Sequence, residues 1–272
     1  MNRQTNVLFV DLDGTLLNDQ KEITEGNRQA IESALAAGHK IVISTGRATS
    51  SAVKLAERLS LIAPGCYAIT YNGGCIYDLN RRESIYRKTL SAQDIRFILD
   101  AADRFGIYAQ TYSEKEIVTE HDTAALHKYT QFSQMDYLLA EDACALLPDG
   151  SEKILVIDYE DHQHLLDFQT FISPLIAGKA DTFFSCDQYL EIVPPGVSKG
   201  NAIRLFCKDM GIPLENTVSA GDAQNDIAML ETTHIGAVMK NAADFMFAYG
   251  NYITEHDNNH DGIAEIINKF IL

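Results

Sequence analysis

The feature that most constrains this chain is a rhythm of short apolar runs, each ending in a glycine-containing or polar break and followed by a helical stretch. Val7-Leu8-Phe9-Val10 is apolar at every position, as a strand buried on both faces of a parallel sheet must be. Asp13-Gly14-Thr15 breaks it. Thr24 stands where it can N-cap a helix running to about Ala37, and Gly38 offers the position that ends it. Lys40–Ser44 is the second strand, closed by Thr45-Gly46. A helix over about Ala48–Leu59 and a third strand over Tyr67–Tyr71 complete β-α-β-α-β, which calls for parallel strands with right-handed crossovers.

The middle of the chain keeps a different pattern. A helix over Ala92–Phe105 leads to two short strands, Ile107–Tyr112 and Glu116–Thr119, and a helix near Asp122–Phe132. Then come a strand (Lys153–Asp158), a helix (Asp161–Ile176) and two strands (Asp181–Cys186, Tyr189–Val193). Paired strands between helices predict an α+β unit with an antiparallel sheet. After Pro194-Pro195-Gly196 the earlier rhythm returns, with a helix from Ser198, a strand at Thr217–Ala220 and a helix from Asn225. Strands at Ile235–Val238 and Tyr252–Thr254 and a last helix from near Asp261 follow. The expected architecture is α/β: a Rossmann-like, doubly wound parallel core sheet over 1–86 and 191–272, with an α+β domain inserted over 87–190.

Composition narrows the function. Hydrophobic residues are 46% and charged residues 22% of the 272, the mix of a chain that buries a core and not of a disordered one. No apolar run approaches the roughly 18–20 residues that cross a bilayer. Met1–Asn6 leads into an apolar stretch already broken at Asp11, so no signal peptide is expected. Cys66, Cys75, Cys144, Cys186 and Cys207 are scattered, without the CxxC spacing of a zinc site and without a disulfide framework. A protein of a reducing cytoplasm is expected. The net charge of −16 repels nucleic acid and anionic membranes, so neither is an expected partner. An anionic substrate would need cations supplied at the site itself.

Those cations, and a set of carboxylates, fall where ligands bind in such sheets, beyond the C-terminal ends of the strands. The first strand runs into Asp11-Leu12-Asp13-Gly14-Thr15, and the period of two lets Asp11 and Asp13 point the same way. The second delivers Thr45-Gly46-Arg47, a later one delivers Gly221-Asp222-Ala223-Gln224-Asn225-Asp226, and Lys199 opens a helix. Converging carboxylates make a hard-oxygen site suited to Mg²⁺. Asp11 can serve as a nucleophile toward phosphorus, and Asp13 as the acid that protonates a leaving oxygen and the base that activates water. The cation and Lys199 would spread the charge of the transferring group. Each piece alone has a plainer explanation: a turn cap for the D-x-D, an Asx turn for the later aspartates, a solvated lysine at a helix start. Their joint placement at strand ends and a helix start is what carries weight.

The combination resembles the haloacid dehalogenase superfamily of phosphohydrolases. Asp11–Thr15 looks like its first signature, Thr45-Gly46-Arg47 its second, Lys199 its third and Gly221-Asp222 through Asp226 its fourth. The position of the insertion, with Asn72-Gly73-Gly74, Ser198-Lys199-Gly200 and Asp261-Gly262, resembles the Cof-type branch, so the likeness spans nearly the whole chain. It implies Mg²⁺-dependent hydrolysis of small phosphomonoesters, often sugar phosphates, with broad specificity, and a cap domain that selects the substrate. It implies that Asp11 is the nucleophile and Asp13 the acid/base. Asp11, Asp222 and the Asp13 carbonyl would hold the metal, with Asp226 supporting them. Leu12 N–H, Thr45, Gly46, Lys199 and Asn225 would hold phosphate, and Arg47 would contact substrate. Lys240, in Val238-Met239-Lys240-Asn241-Ala242, stands where the family usually has glycine and receives no role.

A phosphomutase of the same superfamily and a non-catalytic phosphate-binding regulator are the rivals. Asp13 counts against the second, because a mere phosphoacceptor needs no acid/base beside its nucleophile. Asp257–Gly262 imitates the start of a calcium loop, but its twelfth position, Asn268, lacks the required carboxylate. It is expected to be a loop in which Asp261 caps the last helix.

Overall fold

The computed structural model describes residues 5–272; Met1–Gln4, part of the segment expected to carry no signal peptide, lie outside the described residues. The chain divides into two compact units. One comprises the chain through Gly46, with Ala52–Ile85 and Ser198–Leu272; the other comprises Arg47–Ser51 and Tyr86–Val197.

In the first unit the chain runs β1 (Val7–Val10), α1 (Glu25–Ala36), β2 (Lys40–Ser44), α2 (Thr49–Arg58) and β3 (Cys66–Thr70). Next come β4 (Cys75–Asp78) and β5 (Glu83–Arg87), from which the chain enters the second unit. That unit contains α3 (Ala92–Phe105), β6 (Tyr108–Tyr112), β7 (Ile117–Thr119), α4 (Ala124–Ser133), β8 (Tyr137–Leu139) and β9 (Ile154–Ile157). It closes with α5 (His162–Ile172), β10 (Asp181–Cys186) and β11 (Tyr189–Val193). The first unit resumes with α6 (Lys199–Met210), β12 (Thr217–Gly221), α7 (Ile227–Thr232), β13 (Ile235–Val238), β14 (Tyr252–Ile253) and α8 (Gly262–Phe270).

The eight strands of the first unit lie in the order β14-β13-β12-β1-β2-β3-β4-β5. From β14 to β3 every pairing is parallel. β1 is central, and the chain winds outward from it in both directions, so the strand order reverses between β1 and β12. Val7, Leu8, Phe9 and Val10 are fully buried, which is why their run carries no polar alternation. Leu8 and Val10 join Ile41, Ile43, Ala30, Ile31, Ala34 and Ile267 in one core. β4 was not anticipated: Cys75-Ile76-Tyr77-Asp78 pairs antiparallel with β3, Tyr67 opposite Asp78. Its register needs only a short reversal at Tyr71–Gly73, within which Asn72-Gly73 is itself a turn signal.

The second unit holds six strands in the order β10-β11-β9-β6-β7-β8, antiparallel except for β7 with β8. Ile154, Val156, Leu190 and Ile192 pack with Ile95, Ile98, Leu165 and Phe168 of α3 and α5. On alternate positions Lys153 Nζ meets Glu191 Oε2 at 2.8 Å, both side chains buried. Because β11 pairs with β9 and β10 throughout, the boundary expected at 190/191 falls instead between Val197 and Ser198. β8 was also missed, three residues being too few to read as a strand.

One capping expectation is corrected. Asp261 sits at the start of α8 with a left-handed backbone (φ 62°), but its side chain does not cap that helix. Its Oδ1 accepts from the Asn27 N–H (3.2 Å) and from the Thr24 hydroxyl (2.5 Å), and so caps α1. Asn27 Oδ1 in turn accepts from the Ala264 N–H of α8 at 2.7 Å. Each helix start is satisfied by a side chain of the other, so Thr24 takes the backbone position of a cap without doing its work. Among the described residues no helix is long and apolar enough to cross a membrane.

Candidate active site

Ligands of such sheets bind where the strand order reverses, which here is at the ends of β1 and β12. Asp11 N–H donates to the Ala220 carbonyl at 3.0 Å, carrying the β1–β12 register one residue beyond the strand and setting Asp11 beside Gly221-Asp222. The loop then folds back, with Leu17 N–H bonded to the Leu12 carbonyl at 2.8 Å and Leu12 fully buried. Gly14 has φ +87°, and a Cβ on it would stand 2.5 Å from Asp222 Oδ2. Glycine is therefore what allows this loop to lie against Asp222. Thr15 Oγ1 donates to Asp222 Oδ1 at 2.8 Å, a link to which no motif points.

Lys199 reaches the same place from the first turn of α6, whose start is capped by Ser198 Oγ accepting from Asn201 N–H. Its Nζ lies 2.6 Å from Asp11 Oδ1 and 2.6 Å from Asp226 Oδ1. Asp226 Oδ2 accepts from the N–H groups of Asp222 (3.0 Å) and Ala223 (3.1 Å). Both Asp226 oxygens are thus engaged, and this carboxylate fixes Lys199 with one and the Asp222 main chain with the other. The segment Gln224–Asp226 is a short 3₁₀ turn ahead of α7, not the helix start expected at Asn225.

Burial raises the Asp11 carboxyl well above the usual range, with Asp226 and Asp222 adding to the effect while Lys199 opposes it. Burial pushes Asp222 up to about 6, and Asp226 adds to this, against the Thr15 hydrogen bond and Lys199. For Lys199 burial alone would favour the neutral amine, but Asp11 and Asp226 outweigh it and hold the ammonium charged. Buried acids raised in this way are short of positive charge. Carboxylate oxygens of Asp11, Asp222 and Asp226 lie within 4.8 Å of one another, a hard-oxygen set that fits magnesium. With Asp226 already bonded to Lys199 and two main-chain N–H groups, Asp11 and Asp222 are the side chains that could hold such an ion.

The other expected residues distribute as follows. Asp13 is more exposed, and its Oδ1 accepts from Lys21 Nζ at 2.8 Å, a partner outside every motif. Thr45 is buried at the end of β2, its N–H on the Ile69 carbonyl at 2.8 Å, and Gly46 lies against the Asn72 amide. Asn225 Nδ2 lies 3.5 Å from Asn72 Oδ1. Arg47 falls in the second unit, where its guanidinium lies over the Phe132 ring, 5.9 Å from the centroid. Lys240 Nζ donates to the Glu255 carbonyl at 2.8 Å, while its neighbour Asn241 donates through Nδ2 to the Gly14 carbonyl at 2.7 Å. The contacts of Lys21, Thr15 and Asn241 could not be assigned from sequence, because their types at those positions fit any polar loop.

The chain matches the family model described as haloacid dehalogenase-like hydrolase over residues 8–267. A protein of Streptococcus pyogenes serotype M6 is 31% identical over 278 residues, covering 98% of each chain. The pyridoxal phosphate phosphatase YbhA of Escherichia coli K12 is 25% identical over 276 residues, covering 98% of this chain and 99% of its own. Among solved structures, a haloacid dehalogenase-like hydrolase from Bacteroides thetaiotaomicron superposes with a TM-score of 0.89 at 28% identity, over 98% of this chain and 99% of that one.

Proposed function

The chain belongs to the haloacid dehalogenase-like hydrolases and is a phosphatase of that family; from this premise we propose that it hydrolyses small phosphomonoesters, sugar phosphates among them, through a phosphorylated Asp11. The observation that carries this is Lys199 Nζ at 2.6 Å from both Asp11 and Asp226, a buried cation holding one carboxyl in place at the end of β1.

In this mechanism Asp11 attacks phosphorus and the ester oxygen departs with a proton from Asp13. Asp13 then takes a proton from water, whose oxygen attacks phosphorus and releases Asp11 and inorganic phosphate. Lys199 fixes the rotation of Asp11 through Oδ1 and faces the charge that develops on the phosphoryl oxygens. Leu12 N–H, Thr45, Gly46 and Asn225 complete the phosphate cradle, and Arg47 meets the substrate. Lys21, 2.8 Å from Asp13, orients the acid/base carboxyl. Held by Asp11, Asp222 and the Asp13 carbonyl, Mg²⁺ would act as a Lewis acid on the phosphoryl group. Substrate choice belongs to the second unit, residues 47–51 and 86–197, acting as a cap. Nucleic acid is not a partner, in keeping with the −16 charge.

The test is release of inorganic phosphate from a panel of sugar phosphates, nucleotides and pyridoxal phosphate with Mg²⁺ present. Turnover that needs Asp11 and labels it with phosphate supports the mechanism. Turnover persisting in Asp11→Asn overturns it.

A further inference from the structure

Between β3 and β4 the chain passes through three consecutive left-handed residues, Tyr71 (φ 51°), Asn72 (φ 55°) and Gly73 (φ 114°). Glycine takes that region freely and asparagine tolerates it, but a tyrosine there is strained. Neighbours hold the turn on several sides. Asn72 N–H donates to the Thr45 carbonyl at 3.1 Å. Gly73 lies so close to Ser198 that a Cβ would stand 2.3 Å from the Ser198 carbonyl oxygen. The Asn72 side-chain amide lies against Gly46, where a Cβ would be 3.0 Å from Nδ2, and Oδ1 receives Asn225 at 3.5 Å. The Asn72 amide therefore sits against Gly46 and Asn225, and the residue after it, Gly73, packs on Ser198, which precedes Lys199. Those are the segments given above to phosphate.

Asn72 Nδ2 has no hydrogen-bond partner among the described residues, although only 3% of the residue is exposed. A buried amide N–H left unsatisfied is costly, and folded proteins rarely keep one. Its Oδ1 already accepts from Asn225, so the end without a partner can only donate. A phosphoryl group presents ionised oxygens, which accept.

We infer that Asn72 is a further phosphate-binding residue, whose Nδ2 donates to a non-bridging oxygen of the bound phosphoryl group. This deepens the hydrolase mechanism proposed above and rests on it. The contact is neutral and is made alike by substrate and by product phosphate, so it supports binding more than the chemical step. Losing it should raise KM and the phosphate dissociation constant together while kcat changes little.

The test is calorimetric titration of inorganic phosphate into the Mg²⁺-loaded full chain, comparing wild type with Asn72→Gly and Asn72→Asp. Both replacements accept a left-handed backbone; one removes the amide, and the other keeps its shape but removes the donor. Phosphate should bind about tenfold more weakly to Asn72→Gly, and more weakly still to Asn72→Asp. Mg²⁺ affinity measured without phosphate should stay within about twofold. A folded Asn72→Gly that binds phosphate as the wild type does overturns the inference. So does a loss of phosphate affinity matched by an equal loss of Mg²⁺ affinity, which would mark the amide as a prop for the loop. If Asn72→Gly does not fold, Asn72→Asp decides by the same measure. Hydrolysis of p-nitrophenyl phosphate by the wild type is a separate readout: phosphate binding without turnover defeats the hydrolase mechanism but not the binding assignment.

Discussion

Asp226 and Lys199 form an ion pair at 2.6 Å in which neither side chain touches solvent. Such a pair contributes little when intact compared with what is lost when one member is removed, because the other is left charged and buried. Asp226→Ala should therefore destabilise the protein by about 3–5 kcal/mol in urea denaturation. Lys199→Ala should lower kcat by roughly 10²–10³, the usual effect of deleting one preorganised charge partner. A loss of less than tenfold would place Lys199 outside the mechanism.

Asp11→Asn should abolish turnover and also make the metal-free protein more stable at pH 8. The amide cannot attack phosphorus effectively, and it removes a carboxylate whose ionised form is disfavoured by burial. Thermal unfolding in EDTA checks the second part. An unchanged or lowered midpoint would mean that Lys199 already compensates Asp11 in full.

Magnesium should stabilise the fold more at pH 8 than at pH 5. Asp222 is raised to about 6 by burial and Asp11 is raised too, so the folded apo state binds protons more tightly than the unfolded chain. Apo stability then falls as pH rises from the ordinary carboxyl range through these raised values. A bound cation removes that penalty only where the carboxyls would otherwise be ionised. The check is the Mg²⁺-induced shift in melting temperature at the two pH values; a larger shift at pH 5 would remove Asp222 from the metal site.

Asp261→Gly should cost about 1–2 kcal/mol although it relieves a left-handed aspartate, because the α1 cap disappears. Asn27→Ala should cost a similar amount by freeing the Ala264 N–H. The two helices pack together, so a double-mutant cycle in urea should show coupling between the sites. Strict additivity would mean that each cap acts alone.

Much of the first unit is legible because burial on both faces writes its central strands as unbroken apolar runs, Val7–Val10 above all. β8 leaves no such trace: Tyr137, Leu138 and Leu139 are all exposed, and three residues make no pattern. The aspartates could be found because strand ends announce themselves. Which atoms meet could not, since Asp261 caps a helix 234 positions away and Lys199 lies 188 positions from Asp11. Contacts at that separation are set by packing, which leaves no local mark in sequence. Asn72 was visible as a residue type within a motif; that its Nδ2 has no partner among the described residues appears only in three dimensions.

The placement of β12 next to β1 also sets a clock on biosynthesis. The strand that leads into Asp11 leaves the ribosome early, but Lys199 follows 188 residues later and β12 later still. At about 5–20 residues per second, that separation is roughly 10–40 s during which one side of β1 has no neighbour. The whole second unit is made in that interval and has its own core to collapse upon. Meanwhile an entirely apolar strand with one open edge is what a chaperone grips and what a second nascent chain would pair with. The residues that build the second unit thus lengthen the time for which the centre of the first unit's sheet must be protected.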